Sequence, residues 1–178
     1  MRTKRTATLG LRYLSFPRCN PIDPATKRVV DCFQRVHANI DSRTHLRQES
    51  DEALAKVAQS LMAIGYRVET GKKAAQKIIV PVLMGINGSV EKKFNADAYN
   101  QNEHVVVEVE AGQAFINFRF LKDIFEACMM PTVEHLVIAV RNIYQKSDDF
   151  EKVCTYLETL YVNGRLRLPL KSVVVIGY

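Results

Sequence analysis

Two periods run along the chain. Val29, Val30, Phe33, Val36 and Ile40 follow at spacings of one, three, three and four, and predict an amphipathic helix over 25–39. Leu54, Val57, Leu61 and Ile64, at three, four and three, predict a second over 42–64 that Gly65 ends. Phe115, Phe118, Leu121, Phe125 and Met129 mark a third over 113–130, stopped by Pro131. A fourth opens with Ser147 as its cap and carries Phe150, Val153, Leu157 and Leu160 inward before Asn163-Gly164. Strand patterns fill the spaces between: 66–70, 77–84, 90–98, 135–140 and 172–176. A short strand is also expected before Pro17, Pro21 and Pro24, and Pro81 puts 77–84 at an edge or bulge.

The strand at 105–110 is the most informative. Val105, Val107 and Val109 alternate with Val106, Glu108 and Glu110, so both glutamates point to one face of a sheet. A two-residue turn at Gln101-Asn102 would set Asp97 opposite Val106 and bring Asp97, Glu108 and Glu110 onto that face. Three such charges repel unless a proton or cation sits among them, which makes this triplet a candidate divalent-metal site. The alternative is a solvated face whose acids pair with Lys77, Lys92 or Lys93. Glu52, in the opening turns of the second helix beside Glu49, could lean toward the strand acids or simply pair with Lys56. Gln113 and Asn117, which follow Glu110, could orient a water or phosphate.

Composition and charge narrow the class. The 178 residues suit one globular α/β domain with a central mixed sheet flanked by helices. Within it, 1–41 reads as a basic, partly helical N-terminal extension and 42–178 as the α/β domain proper. Ten Lys/Arg against three Asp in 1–47, and fifteen cations against sixteen acids beyond, place the positive charge in the first quarter and suggest a polyanionic partner. Arg43, Arg47, Lys72, Lys73, Lys92 and Lys93 are candidate nucleic-acid contacts, or else solubilising charges. Cys19, Cys32, Cys128 and Cys154 stand far apart without a C-x-x-C pair, as expected of reduced thiols in a cytoplasmic protein. The longest apolar run, 78–86, contains Pro81 and Gly85, so no membrane span is expected.

The order helix, three strands, helix, strand, with Asp97 late in one strand and Glu108-x-Glu110 in the next, resembles the PD-(D/E)XK nuclease superfamily, the fold of many restriction endonucleases. The resemblance covers roughly 42–140. It implies that Asp97 and Glu108 hold Mg²⁺ or Mn²⁺ and that the chain is a DNA endonuclease, plausibly of restriction type and working as a homodimer. Ala96 stands where the family has proline, and Glu110 where it has lysine. A member that binds nucleic acid without cutting it, or a protein-interaction domain, are the alternatives.

Overall fold

The structure, a computed structural model, describes residues 10–112 and 118–178. In chain order its main elements are β1 (Arg12–Phe16), α1 (Pro24–Ile40), α2 (Ser50–Met62), β2 (Arg67–Val68), β3 (Ile78–Met84), β4 (Val90–Ala96), β5 (Ala98–Asn100), β6 (Val105–Glu110), α3 (Arg119–Met129), β7 (His135–Val140), β8 (Ile143–Tyr144), β9 (Ser147–Asp148), α4 (Asp149–Asn163) and β10 (Ser172–Gly177).

Six strands form a mixed central sheet in the order β1-β10-β7-β6-β5-β2. β6, β7 and β10 run parallel, while β1, β5 and β2 are antiparallel to their neighbours. Every residue of β7 and β10 is buried, which is why both read as continuous apolar runs rather than alternating ones. The alternation survives in β6. Val105, Val107 and Val109 join Val29, Phe33, Leu54 and Val57 of α1 and α2 in one core cluster. Val106 joins Phe120, Ile124, Val153 and Leu157 of α3 and α4 in the other. The result is an α/β fold in three layers, as the patterning predicts.

Several boundaries differ, each for a local reason. Residues 12–41 are built into the same core as the rest: β1 pairs with β10, and Phe16, Val29, Val30, Phe33 and Ile40 are buried. The second helix starts at Ser50, eight residues later than its apolar pattern suggested. Asp41 instead folds 41–45 into turns, accepting from Arg43 N through its side chain and from Thr44 N and His45 N through its carbonyl. The run 90–98 breaks at Asp97. Before it, β4 pairs with β3 as a separate two-stranded ribbon, with register shifts just after Pro81; beyond it, β5 enters the central sheet. Asp148 rather than Ser147 caps α4, accepting from Glu151 N at 2.8 Å.

The hairpin turn is longer than two residues. Asn100 Oδ1 accepts from Asn102 N at 3.1 Å and Glu103 N at 3.2 Å, an Asx turn that widens the loop to 101–104. Asn100 therefore faces Val105, and continuing that register puts Asp97 level with Glu108, not Val106. The slip is two residues, so every side chain keeps its face.

α3 departs most. Its buried side is Phe120, Asp123, Ile124 and Ala127, whereas Phe118, Leu121, Phe125 and Met129, expected inward, are exposed. The helix carries two apolar stripes, and the one that faces the sheet includes an aspartate. Phe115 lies outside the described residues.

Candidate functional site

The bend between β4 and β5 positions the first acid. Glu69 N donates to the carbonyl of Asp97 at 2.7 Å, and the Asp97 side chain accepts from Val109 N at 2.7 Å. One residue thus ties β2, β5 and β6 together where the edge ribbon meets the sheet. Its carboxyl is pushed up to about 7, chiefly by burial, against the Val109 hydrogen bond that favours the anion. Glu69, Glu110 and Asp51 add negative charge around it.

Glu108, the next acid on that face, is raised well above the ordinary carboxylate range by burial and then by Asp97, Asp123 and Glu126. Asp123 enters from α3. It is 6% exposed, its Oδ2 has no hydrogen-bond partner, and burial together with Glu110 and other acids pushes it up to about 8. Glu110 ends β6 and is raised by burial, opposed by Arg119 and Lys122. Among the described residues, none of Asp97, Glu108, Glu110 or Asp123 makes an ion pair, so the alternative of pairing with Lys77, Lys92 or Lys93 does not occur. The face is an acid cluster in which burial and neighbouring carboxylates raise each carboxyl above its ordinary range. Also among the described residues, no three His, Cys, Asp or Glu side chains converge closely enough to hold a metal ion as they stand.

The carboxyl ends of β6 and β7 open onto a cavity of about 720 Å³ lined by residues that include Glu49, Glu110, Arg119, Arg141 and Tyr144. Such crevices beyond the ends of parallel strands are where α/β sheets bind ligands. Gly112 shapes one side: its φ is +86°, and a Cβ there would lie 2.1 Å from the Tyr144 ring.

The other candidates scatter. Glu49 shares the cavity with Glu110, whereas Glu52 is exposed on α2, and it is Asp51 whose charge reaches Asp97. Lys56, the partner expected for Glu52, donates to Asn39 O at 2.8 Å. Gln113 and Asn117 lie outside the described residues. Arg47 lines the cavity, but Arg43 is engaged by Asp41, and Lys72 stands 3.4 Å from Asp51. Lys92 and Lys93 are exposed on the ribbon, with Lys92 Nζ 5.4 Å from the Phe94 ring centre; Lys73 is exposed before β3.

Asp123, Gln48 and Arg141 went unnoticed in the sequence. For Asp123 a signal existed: it sits inside the stripe Phe120, Ile124, Ala127, whose spacings of four and three are as helical as those of the stripe that was followed. Comparison with protein-family models, curated proteins and solved structures found no match to this chain.

Proposed function

We propose that this chain is a metal-dependent nuclease that hydrolyses phosphodiester bonds of DNA. The observation that carries this reading is the gathering of Asp97, Glu108 and Asp123, all with raised carboxyls and no paired cation, beside the Glu110 cavity. Carboxyls raised by burial and by one another favour a hard divalent ion that neutralises them, and binding such an ion releases any protons they carry. By donor type the set suits Mg²⁺ or Mn²⁺, being all carboxylate oxygen with Asp123 Oδ2 buried and unbonded, although as they stand the side chains do not converge on one point and would have to close around the ion. Asp97, Glu108 and Asp123 would hold the ion, which when bound supplies charge neutralisation at a phosphate and a more acidic water.

The remaining chemistry belongs to side chains. Glu110, raised in pKa and lining the cavity, is placed to take a proton from water. The resemblance to PD-(D/E)XK nucleases leaves Glu110 where a lysine is usual. Lys122 partly makes up the charge, because its ammonium acts on both Glu108 and Glu110 from α3. The strand order also supports the resemblance: β2, β5 and β6 are antiparallel in succession, and α3 crosses over to the parallel β7.

A second reading, DNA binding without cleavage, is favoured by the failure of any three ligands to converge among the described residues. Incubation with supercoiled plasmid and Mg²⁺ or Mn²⁺ separates the two. Nicked and linear products are expected from the wild type, and a loss of at least about a hundredfold in Glu108→Gln and Asp97→Asn. The Asn variant retains an acceptor for Val109 N, so loss of cutting would not reflect a broken bend. Salt-sensitive binding with no product under either metal would favour the second reading.

A further inference from the structure

Two deeply buried polar side chains in the lining of the Glu110 cavity carry hydrogen-bonding atoms with no partner. Gln48 is 7% exposed, and neither its Oε1 nor its Nε2 has a hydrogen bond. Arg141 is 3% exposed; its Nη2 donates to Ser42 O at 3.2 Å and His45 O at 3.0 Å, leaving Nε unpartnered. Among the described residues no carboxylate pairs with this guanidinium. Arg141 is steadied by Tyr144, whose ring centre lies 5.6 Å from its Cζ, and by the charge of Asp149, but a buried amide with no partner is costly, so the free Gln48 amide and Arg141 Nε suit a group that enters the cavity.

The surroundings select its charge. Ser50, the first residue of the 13-residue α2, also lines the cavity, and Glu49 gives that helix no side-chain cap. The positive end of the helix and its unpaired amides therefore open there. Arg47, Arg119 and Lys146 join Arg141 in the lining, against the two acids Glu49 and Glu110. Cations outnumber carboxylates, and the orphaned guanidinium nitrogen and amide suit an oxyanion with several acceptor oxygens.

We infer that this cavity binds a phosphoryl group, held by Arg141 and Gln48 at its inner wall and by the first-turn amides of α2. The site is distinct from the acid cluster but shares Glu110 with it. The cavity of about 720 Å³ has room for a phosphoryl group attached to a larger molecule. That this molecule is a nucleic-acid strand rests on the nuclease reading; phosphoryl binding itself does not.

The test uses the full chain and inorganic phosphate, titrated at constant ionic strength with chloride as control. Phosphate should raise the melting temperature and chloride should not. Gln48→Met should melt higher than the wild type without phosphate and lose its response to phosphate. The double variant Arg47→Ala/Arg119→Ala, changed at two exposed positions, should bind phosphate about tenfold more weakly. Equal responses to phosphate and chloride, or an undiminished phosphate response in Gln48→Met, would overturn the inference. Glu108→Gln should bind phosphate as the wild type does even if it cannot cut DNA. Plasmid cleavage that survives in a protein deaf to phosphate would sink the pocket and leave the nuclease reading standing. Fluorescence titration with a single-stranded oligonucleotide, with and without a 5′-phosphate, identifies the source. Tighter binding of the phosphorylated strand assigns the pocket to a terminal phosphate, and equal binding to an internal one.

Discussion

Asp123 shows how one side chain can tie folding to pH. Its carboxyl is pushed up to about 8 from the ordinary 3.8, and Asp97 up to about 7, so the folded chain keeps protons that the unfolded chain has released. Folding takes up protons across that window. The contribution of these groups is therefore fully present below about pH 4 and is lost as pH rises through about 7 to 8. Asp123→Asn should remove its part of the loss: in urea unfolding, the stability of the variant relative to wild type should grow by roughly 3–4 kcal/mol from about pH 5 to about pH 8. With Mg²⁺ present the wild type should lose less over the same range, because an ion replaces the protons. A pH-independent difference between the two proteins would show that Asp123 does not titrate as its burial implies.

At the scale of elements, α3 separates what the letters convey from what packing decides. Its two apolar stripes are both helical in spacing, and the stripe richer in phenylalanine faces outward. Ile124, 5% exposed, should cost about 2–4 kcal/mol when cut to Ala, whereas Phe125→Ser, at 57% exposure, should cost under about 1 kcal/mol, both read by urea denaturation. The opposite ranking would restore the phase expected from the sequence. β6 was legible because alternation on a half-polar strand admits one solution for its faces. The boundaries at Ser42 and Asp97 were not, because they are set by side chains that bond backbone groups: Asp41 to Arg43 N, and Asp97 to Val109 N. Periodicity carries no trace of such bonds. The acids Asp97, Glu108 and Glu110 could be found from parity; Asp123 was marked only by its place in the stripe Phe120, Ile124, Ala127, and nothing in the letters ranks that stripe above the one richer in phenylalanine.

For the whole molecule, the decisive fact is that the basic first quarter is also structural. Phe16, Val29, Val30, Phe33 and Ile40 are buried, and each contributes roughly 1.5–3 kcal/mol through burial, which together rivals the roughly 5–15 kcal/mol that stabilises a typical domain. A chain beginning at Ser42 should therefore show no cooperative thermal transition by circular dichroism. A folded product would mean that α2 to β10 close their own core. Among the described residues of this quarter, Arg12, Arg18, Lys27, Arg28 and Arg43 are held in ion pairs, Arg12 meeting Asp148 through two 2.8 Å hydrogen bonds. No helix among the described residues is long and apolar enough to cross a membrane.

The loop at 101–104 has a consequence for variation of this chain. Since Asp97 and Glu108 lie level on opposite arms of that hairpin, a change of loop length that keeps Asn100 paired with Val105 leaves both carboxylates on the α3 side. A one-residue slip of either arm would instead turn that arm over, send its acid into the valine layer beneath α1 and α2, and bring a valine up in exchange. What variation has to keep is the pairing beside the loop rather than its length.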